Sequence, residues 1–242
     1  MPRRWKQTQK WIEEWMLWLP AEGRCMASSS AEVLAELPLH YRTPESWAFR
    51  ALENPESLLN DHAHLEKKAA TNALELICRW PHGETPDYWV RALTSMAAEE
   101  SDHLRRVSRF MMKHGFSLSR HHKNPYAGAL HALVRRGEGR AELADRLYVA
   151  ALIEARSCER FLALSCGSRA LNDGPSLIQE MGGLYSDLLE SEVGHYHAFL
   201  RLARELRPEQ HQSDWQGWLE QESRIIQEQS YYPGILSGTR DL

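Results

Sequence analysis

Helix punctuation sets the strongest limit on how this 242-residue chain can fold. An Asn54-Pro55 step, a Thr85-Pro86 step, Gly139, the run Asn172-Asp173-Gly174-Pro175 and Pro208 mark off four segments of helical periodicity, about 54–79, 86–114, 139–165 and 175–206. No run alternates apolar and polar positions with the β-branched content that a strand needs. Four long helices, with the longest connection between the second and third, predict an all-α four-helix bundle made of two up-down pairs.

Further helices are expected around the bundle. Trp11, Trp15, Trp18 and Leu19 fall at helical spacing in a segment from about Trp5 to Leu19, and a short helix is expected from Ser30 to Leu37. Thr43-Pro44 places a capping hydroxyl before a proline at the first helical position. The connection from Gly115 to Arg140 is expected to hold a short helix, Tyr126 to Arg136, and a last helix is expected from about Ser213 to Gln229. No flexible or low-complexity linker interrupts the chain, which predicts one domain over residues 1–242.

Composition excludes some classes. Hydrophobic residues make up 43% and charged residues 26%, ordinary for a globular protein, and no apolar run approaches the roughly 20 residues that span a bilayer. Charged residues break up the N-terminal apolar positions where a signal peptide needs a continuous core, so a cytoplasmic protein without a membrane partner is expected. Cys25, Cys78, Cys158 and Cys166 form no CxxC pair and read as buried free thiols in a reducing compartment.

The stretch AAEESDHLRR, Ala97 to Arg106, carries two glutamates and a histidine within one helical segment. Residues three or four apart share a helix face, so either Glu100 or Glu99 can join His103 on one ion, and alone the stretch also reads as a solvated charged face. The fourth segment repeats the pattern in LLESEVGHYHAF, where Glu192 and His195 stand three apart and no glutamate stands four before the histidine. The shared pattern, Glu-x-x-His, selects Glu100.

A two-metal bundle site needs one more glutamate from each remaining helix. DHAHLEKKAA offers Glu66 and EARSCERFLA offers Glu159, which stand 34 and 33 residues before their partner glutamates. Glu154 would require a separation of 38; like Asp61 it stands five residues before the chosen glutamate. Asp61 and Glu154 are therefore read as carboxylates that orient a histidine through its other nitrogen. The expected ligands and catalytic residues are Glu66, Glu100, His103, Glu159, Glu192 and His195. Carboxylate oxygens with one imidazole per ion suit iron or manganese better than structural zinc. Such a set also serves iron storage and peroxide dismutation, so the ligands alone do not name a reaction.

LLNDHAHLEKKAATNALELI, AAEESDHLRRV, ALIEARSCERFLAL and LLESEVGHYHAFLRLA together resemble the bacterial tRNA hydroxylase family that acts on 2-methylthio-isopentenyladenosine, the hypermodified base beside the anticodon. ALIEARSCERF is the most specific piece. The resemblance implies a ferritin-like fold with a non-haem di-iron centre, dioxygen as co-substrate and an external electron donor, hence an electron-transfer partner. It implies hydroxylation of the isopentenyl side chain, with the six residues as iron ligands and Glu154 as the substitute for Glu159. Leu65 directly before Glu66 and Gly194 inside the second Glu-x-x-His depart from expectation without removing a ligand. The alternative is a ferritin-like iron oxidase, storage or peroxide-dismutating protein without a nucleic-acid substrate.

A tRNA partner finds matching charge. Arg105, Arg106, Arg109, Lys113, Arg120, Lys123, Arg135, Arg136 and Arg140 crowd one stretch against a single acid, Glu138, in a chain of net charge -4. Phosphate contacts dominate nucleic-acid affinity, so this stretch is expected to hold the anticodon stem-loop. Tyr126, Phe116 and Phe110 are its stacking candidates, and Arg156 and Arg160 are expected to pair with core carboxylates.

Overall fold

The computed structural model describes residues 37–81, 83–171 and 175–242. Among them lie seven helices: α1 (Glu45–Leu52), α2 (Pro55–Ile77), α3 (Asp87–Lys113), α4 (Pro125–Ala132), α5 (Arg140–Ala170), α6 (Ser176–Leu206) and α7 (His211–Glu228). The described residues contain no strand, only an isolated bridge between Ser230 and Arg240. The expected helices from Trp5 to Leu19 and, but for Leu37, from Ser30 to Leu37 fall outside the described residues, as do Cys25 and residues 172–174.

Four helices form the bundle. Backbones approach most closely within two pairs, α2 with α3 and α5 with α6; across the pairs α3 and α6 also meet. The fold is all-α, as the four punctuated segments predict, and its paired bundle is the ferritin-like arrangement that the resemblance implies. α5 is the central rod, buried along nearly its whole length from Ala141 to Ser168, with α1 and α7 laid against it. Leu58, Leu59, Trp89, Leu93, Tyr148, Leu152, Phe161 and Leu188 fill the interior, each contributing about 1.5–3 kcal/mol of apolar burial. No described helix is long and apolar enough to cross a membrane.

Local chemistry departs from expectation at several points. α5 continues past residue 165 to Ala170 because Gly167 and Ser168 pack into the interior. α4 ends at Ala132 because the Arg135 backbone N–H donates to the Asp145 carboxylate at 3.0 Å, which turns the chain toward α5. Thr43 does not cap α1. Its hydroxyl and backbone N–H both donate to Glu159, at 2.7 and 3.0 Å, and Pro44 takes the cap position. Cys158 is buried, but Cys78 is exposed at the end of α2 rather than inside.

The segment after α7 returns across the end of the bundle. Trp47 donates its indole N–H to Ser237 Oγ at 2.8 Å, Arg160 donates to the Ser237 carbonyl at 3.0 Å, and the Ile235 backbone N–H donates to Asp61 at 2.7 Å. Gly238 permits this return, since a Cβ there would lie 1.8 Å from the Gln229 carbonyl oxygen.

Candidate metal centre

Each bundle helix sends a carboxylate inward. Glu66 from α2, Glu100 and His103 from α3 and Glu192 from α6 are buried, and one oxygen or nitrogen of each lies within 4.8 Å of the others. His195, one turn beyond Glu192, completes the group. Glu-x-x-His puts glutamate and histidine on one face of α3 and again on one face of α6, because three residues turn a helix by nearly a full turn.

The two Glu-x-x-His carboxylates each face both histidines. Glu100 presents Oε1 to His195 Nδ1 at 2.7 Å and Oε2 to His103 Nδ1 at 3.6 Å. Glu192 presents Oε1 to His103 Nδ1 at 3.0 Å and Oε2 to His195 Nδ1 at 4.0 Å. Glu66 Oε2 lies 3.6 Å from His103 Nδ1. These approaches lack hydrogen-bond alignment: Glu100 Oε2, Glu192 Oε1, His103 Nδ1 and His195 Nδ1 are buried without a hydrogen-bond partner among the described residues. Orphaned donor atoms in a buried group normally cost about 1–3 kcal/mol each, and convergent ones fit cations bound between them.

The outer nitrogens are held from across the bundle. His195 Nε2 donates to Glu99 Oε2 at 3.0 Å, so the helix carrying Glu100 also orients the opposite histidine. Ser191 does the same for His103 at 3.0 Å; its hydroxyl donates to the Leu188 carbonyl, which leaves an oxygen lone pair to accept from Nε2. Both rings therefore turn Nδ1 inward. His62 holds Glu66, with Nε2 at 2.5 Å from Oε1. Glu99, Ser191 and His62 were missed as partners in the sequence. Their signal was positional, since Glu99 and Ser191 each directly precede the Glu-x-x-His glutamate and His62 stands one turn before Glu66.

Asp61 and Glu159 lie elsewhere. Asp61 accepts from His122 Nε2 and from the Ile235 backbone, both at 2.7 Å, and orients no histidine of the cluster. Glu159 accepts from Thr43 and from Arg156, whose guanidinium also donates to Glu222 at 2.7 Å. Burial works against its ionisation, but Arg156, Arg160 and Arg42 hold its carboxyl below the ordinary value. Glu154, also on α5, is buried within electrostatic reach of the cluster. Burial, then the charges of Glu100 and Glu192, push it well above the ordinary value.

The cluster's field favours positive charge. Burial opposes protonation of His103 and His195, yet the carboxylates around them raise the two rings to about 12 and about 9. Burial likewise opposes ionisation of Glu66, but His62 and His103 hold it at about 2, while burial and the Glu66 charge push Glu100 up. Histidine protons and metal ions compete for the same nitrogens, so loading a metal here releases protons.

A prediction follows for Glu99, which is half exposed yet bonded to a buried ring. Glu99→Ala is expected to weaken metal binding by roughly 10- to 100-fold, with Glu99→Gln recovering part of it through its amide oxygen. Competition with a chromophoric chelator measures this; equal affinity in all three proteins removes Glu99 from any role at the centre.

The basic candidates separate into two groups. Arg105 pairs with Asp102, Arg106 approaches Asp187 at 3.6 Å, Lys113 meets Glu180 at 2.6 Å, and Arg135 is held by Asp145 and Asp214. Arg109, Arg120, Lys123, Arg136 and Arg140 have no carboxylate partner among the described residues. Tyr126 is fully buried and its hydroxyl donates to Glu222 at 3.0 Å, which makes it a core residue rather than a stacking platform. Phe110 and Phe116 are half-buried.

Comparison with known proteins agrees with this geometry. The model of the family described as tRNA-(MS[2]IO[6]A)-hydroxylase (MiaE) matches residues 32–235. A Pseudomonas putida tRNA 2-(methylsulfanyl)-N(6)-isopentenyladenosine(37) hydroxylase is 40% identical over 161 residues, covering 66% of this chain and 72% of its own. A Salmonella typhimurium protein of the same name is 29% identical over 217 residues, covering 71% and 77%. Among solved structures, a Synechococcus protein with aldehyde deformylating oxygenase activity superimposes with a TM-score of 0.71 at 29% identity, over 83% of this chain and 96% of that one.

Proposed function

Since the chain belongs to the MiaE tRNA hydroxylase family, we propose that it is a di-iron monooxygenase hydroxylating the isopentenyl side chain of 2-methylthio-isopentenyladenosine beside the tRNA anticodon. It acts as one ferritin-like domain in the cytoplasm, with dioxygen as co-substrate and an external electron donor delivered by a partner. The balance is one oxygen atom inserted into a C–H bond, the other reduced to water with two electrons and two protons. The bound iron pair supplies the activation of dioxygen.

One observation carries the reading: Glu100 and Glu192 each face both histidines through opposite oxygens, so these four side chains would hold a pair of cations between them. His103 and His195 would hold one ion each, Glu66 and Glu154 would complete the set, and Glu159 stays with Arg156. Glu99, Ser191 and His62 keep the ligands aimed. Phe161 and Tyr185 pack on His62 with ring centroids 4.9 and 5.4 Å away and fix its ring. Ferritin-like iron oxidation or storage and peroxide dismutation are not favoured, because both named relatives are tRNA hydroxylases. The unpaired cations Arg109, Arg120, Lys123, Arg136 and Arg140 are the phosphate contacts of the tRNA.

The test is turnover of the iron-loaded protein with reductant, isotopically labelled dioxygen and tRNA carrying the unhydroxylated base. Nucleoside mass spectrometry should find one labelled oxygen in the side chain. Unchanged nucleosides from a loaded, reduced protein would defeat the reaction assigned.

A further inference from the structure

A cleft of about 450 Å³ opens where α2 begins and the connection after α3 passes over it. Ser57 and Asn60 of α2, Ser117, His121 and Lys123 of the connection, and Tyr232 of the returning segment form its walls. The connection is pinned in place. Asn60 donates to the Ser117 carbonyl at 3.0 Å and accepts from the Ser119 N–H at 2.6 Å.

The charge around the cleft is positive on balance. Asp61, which also borders the cleft, has its carboxylate engaged by His122 and Ile235, and the His122 ring lies parallel to His64, 4.9 Å between centroids and 2° between planes. Lys68 reaches His122 Nδ1 at 2.9 Å, and Lys67, Arg120 and Lys123 stand exposed nearby. Glu56 at the rim is the remaining acid among the lining residues.

The cleft also lies close to the metal centre along α2. Asp61 and Glu66 are five residues apart on α2, about 7.5 Å along the helix axis. Tyr185 stacks on His62 between these two positions, and its hydroxyl feels both carboxylates. The Tyr185 and Tyr232 hydroxyls and His62 Nδ1 are buried polar atoms without a hydrogen-bond partner among the described residues. Buried atoms of that kind ordinarily have partners, so three of them between a surface cleft and a metal site point to a ligand that enters there.

Resting on the tRNA reading, we propose that this cleft receives the anticodon-loop nucleotide that bears the aliphatic substituent. Base and ribose occupy the cleft, the flanking phosphates lie on Lys68, Arg120 and Lys123, and the side chain extends along α2 toward Glu66. At roughly 1.5 Å per bond a five-carbon substituent covers most of that distance. A base splayed from its loop is the usual way in which RNA presents one nucleotide to a protein. The occupant is RNA rather than a free nucleotide, because Lys67, Lys68 and Arg120 stand outside the lining of the cleft, where they can meet the phosphates of neighbouring nucleotides.

Three iron-loaded variants test it. Ser57→Trp places an indole in the cleft from an exposed position, Lys68→Glu with Lys123→Glu reverses charge at its edge, and Arg224→Glu reverses an exposed charge on α7. Binding of a fluorescent anticodon stem-loop is followed by anisotropy at several salt concentrations, beside hydroxylation and iron content. Ser57→Trp is expected to lower kcat/KM on the RNA at least 10-fold with unchanged iron content. The double lysine variant should weaken RNA binding and flatten the slope of log affinity against log salt by about one for each phosphate no longer neutralised, while Arg224→Glu changes neither. The free modified nucleoside should bind the wild type far more weakly than the stem-loop. Wild-type affinity and turnover in both cleft variants would overturn the cleft while leaving the reaction standing. A wild-type protein that neither binds nor modifies the RNA would overturn both.

Discussion

Glu100→Ala is expected to purify folded, to lose its iron and to hydroxylate tRNA more than roughly 100-fold more slowly, beyond what loss of an orienting partner alone costs. The size of the effect follows from geometry. Glu100 faces His195 with one oxygen and His103 with the other, so its removal opens both cation positions at once. The metal-free variant should melt no lower than the metal-free wild type. Burial and the Glu66 charge raise the Glu100 carboxyl, so its ionised form costs stability in the folded state. Metal analysis with a thermal melt separates the two effects. Full iron content and full activity in Glu100→Ala would remove it from the ligand set.

The second large effect distinguishes the two α5 glutamates. Glu154→Gln is expected to lose metal and activity with little change in fold, because the amide cannot supply the anionic oxygen. Glu159→Ala should keep the metal centre but lose the acceptor that Thr43 and Arg156 share. Breaking a buried ion pair typically costs about 3–5 kcal/mol, and Arg156 retains Glu222, so a loss of about 3 kcal/mol is expected. At about 2–4 °C per kcal/mol for a chain of this size, the melting temperature should fall by roughly 10 °C. The opposite pattern, with iron lost from Glu159→Ala and retained in Glu154→Gln, would restore Glu159 to the centre.

The contrast also shows where the sequence stops being legible. The four helices were readable because prolines and glycines bound them, and Glu-x-x-His was readable because a spacing of three on a helix means one face. α5 gives no such guide. It is buried around its circumference, so no polar stripe says which of its carboxylates looks inward. Matching separations of 33 and 34 residues favoured Glu159, yet a slip of one residue turns a side chain by about 100°. Glu154 differs from the repeat by four residues, which is close to a full turn and nearly preserves the face. Face and count therefore point to different residues, and the pairing of Glu159 with Arg156 and Thr43 leaves Glu154 as the proposed ligand. Asp61 was misread for a related reason, since its partners His122 and Ile235 come from segments 61 and 174 residues away that no local spacing reveals.

The nine basic residues show the same limit. Their accumulation was visible in the chain, but which of them keep charge to spare depends on Asp102, Asp145, Asp187 and Glu180, three of which lie on other helices. Conversely, Lys68 joins the basic end only because the connection folds back onto α2.

The way the histidines are held has a consequence for assembly. Glu99 of α3 holds His195 of α6, and Ser191 of α6 holds His103 of α3, so neither hairpin can order its own imidazole before the other docks. Glu66 and Glu100 stand on one side of this seam and Glu154 and Glu192 on the other, so carboxylates of both hairpins would share the same cations. A cation between them would displace the protons held there and draw both sides onto itself. Closing the bundle and binding metal are thus coupled: each ion bound would be a tie across the seam, and the metal-free protein is expected to loosen there first.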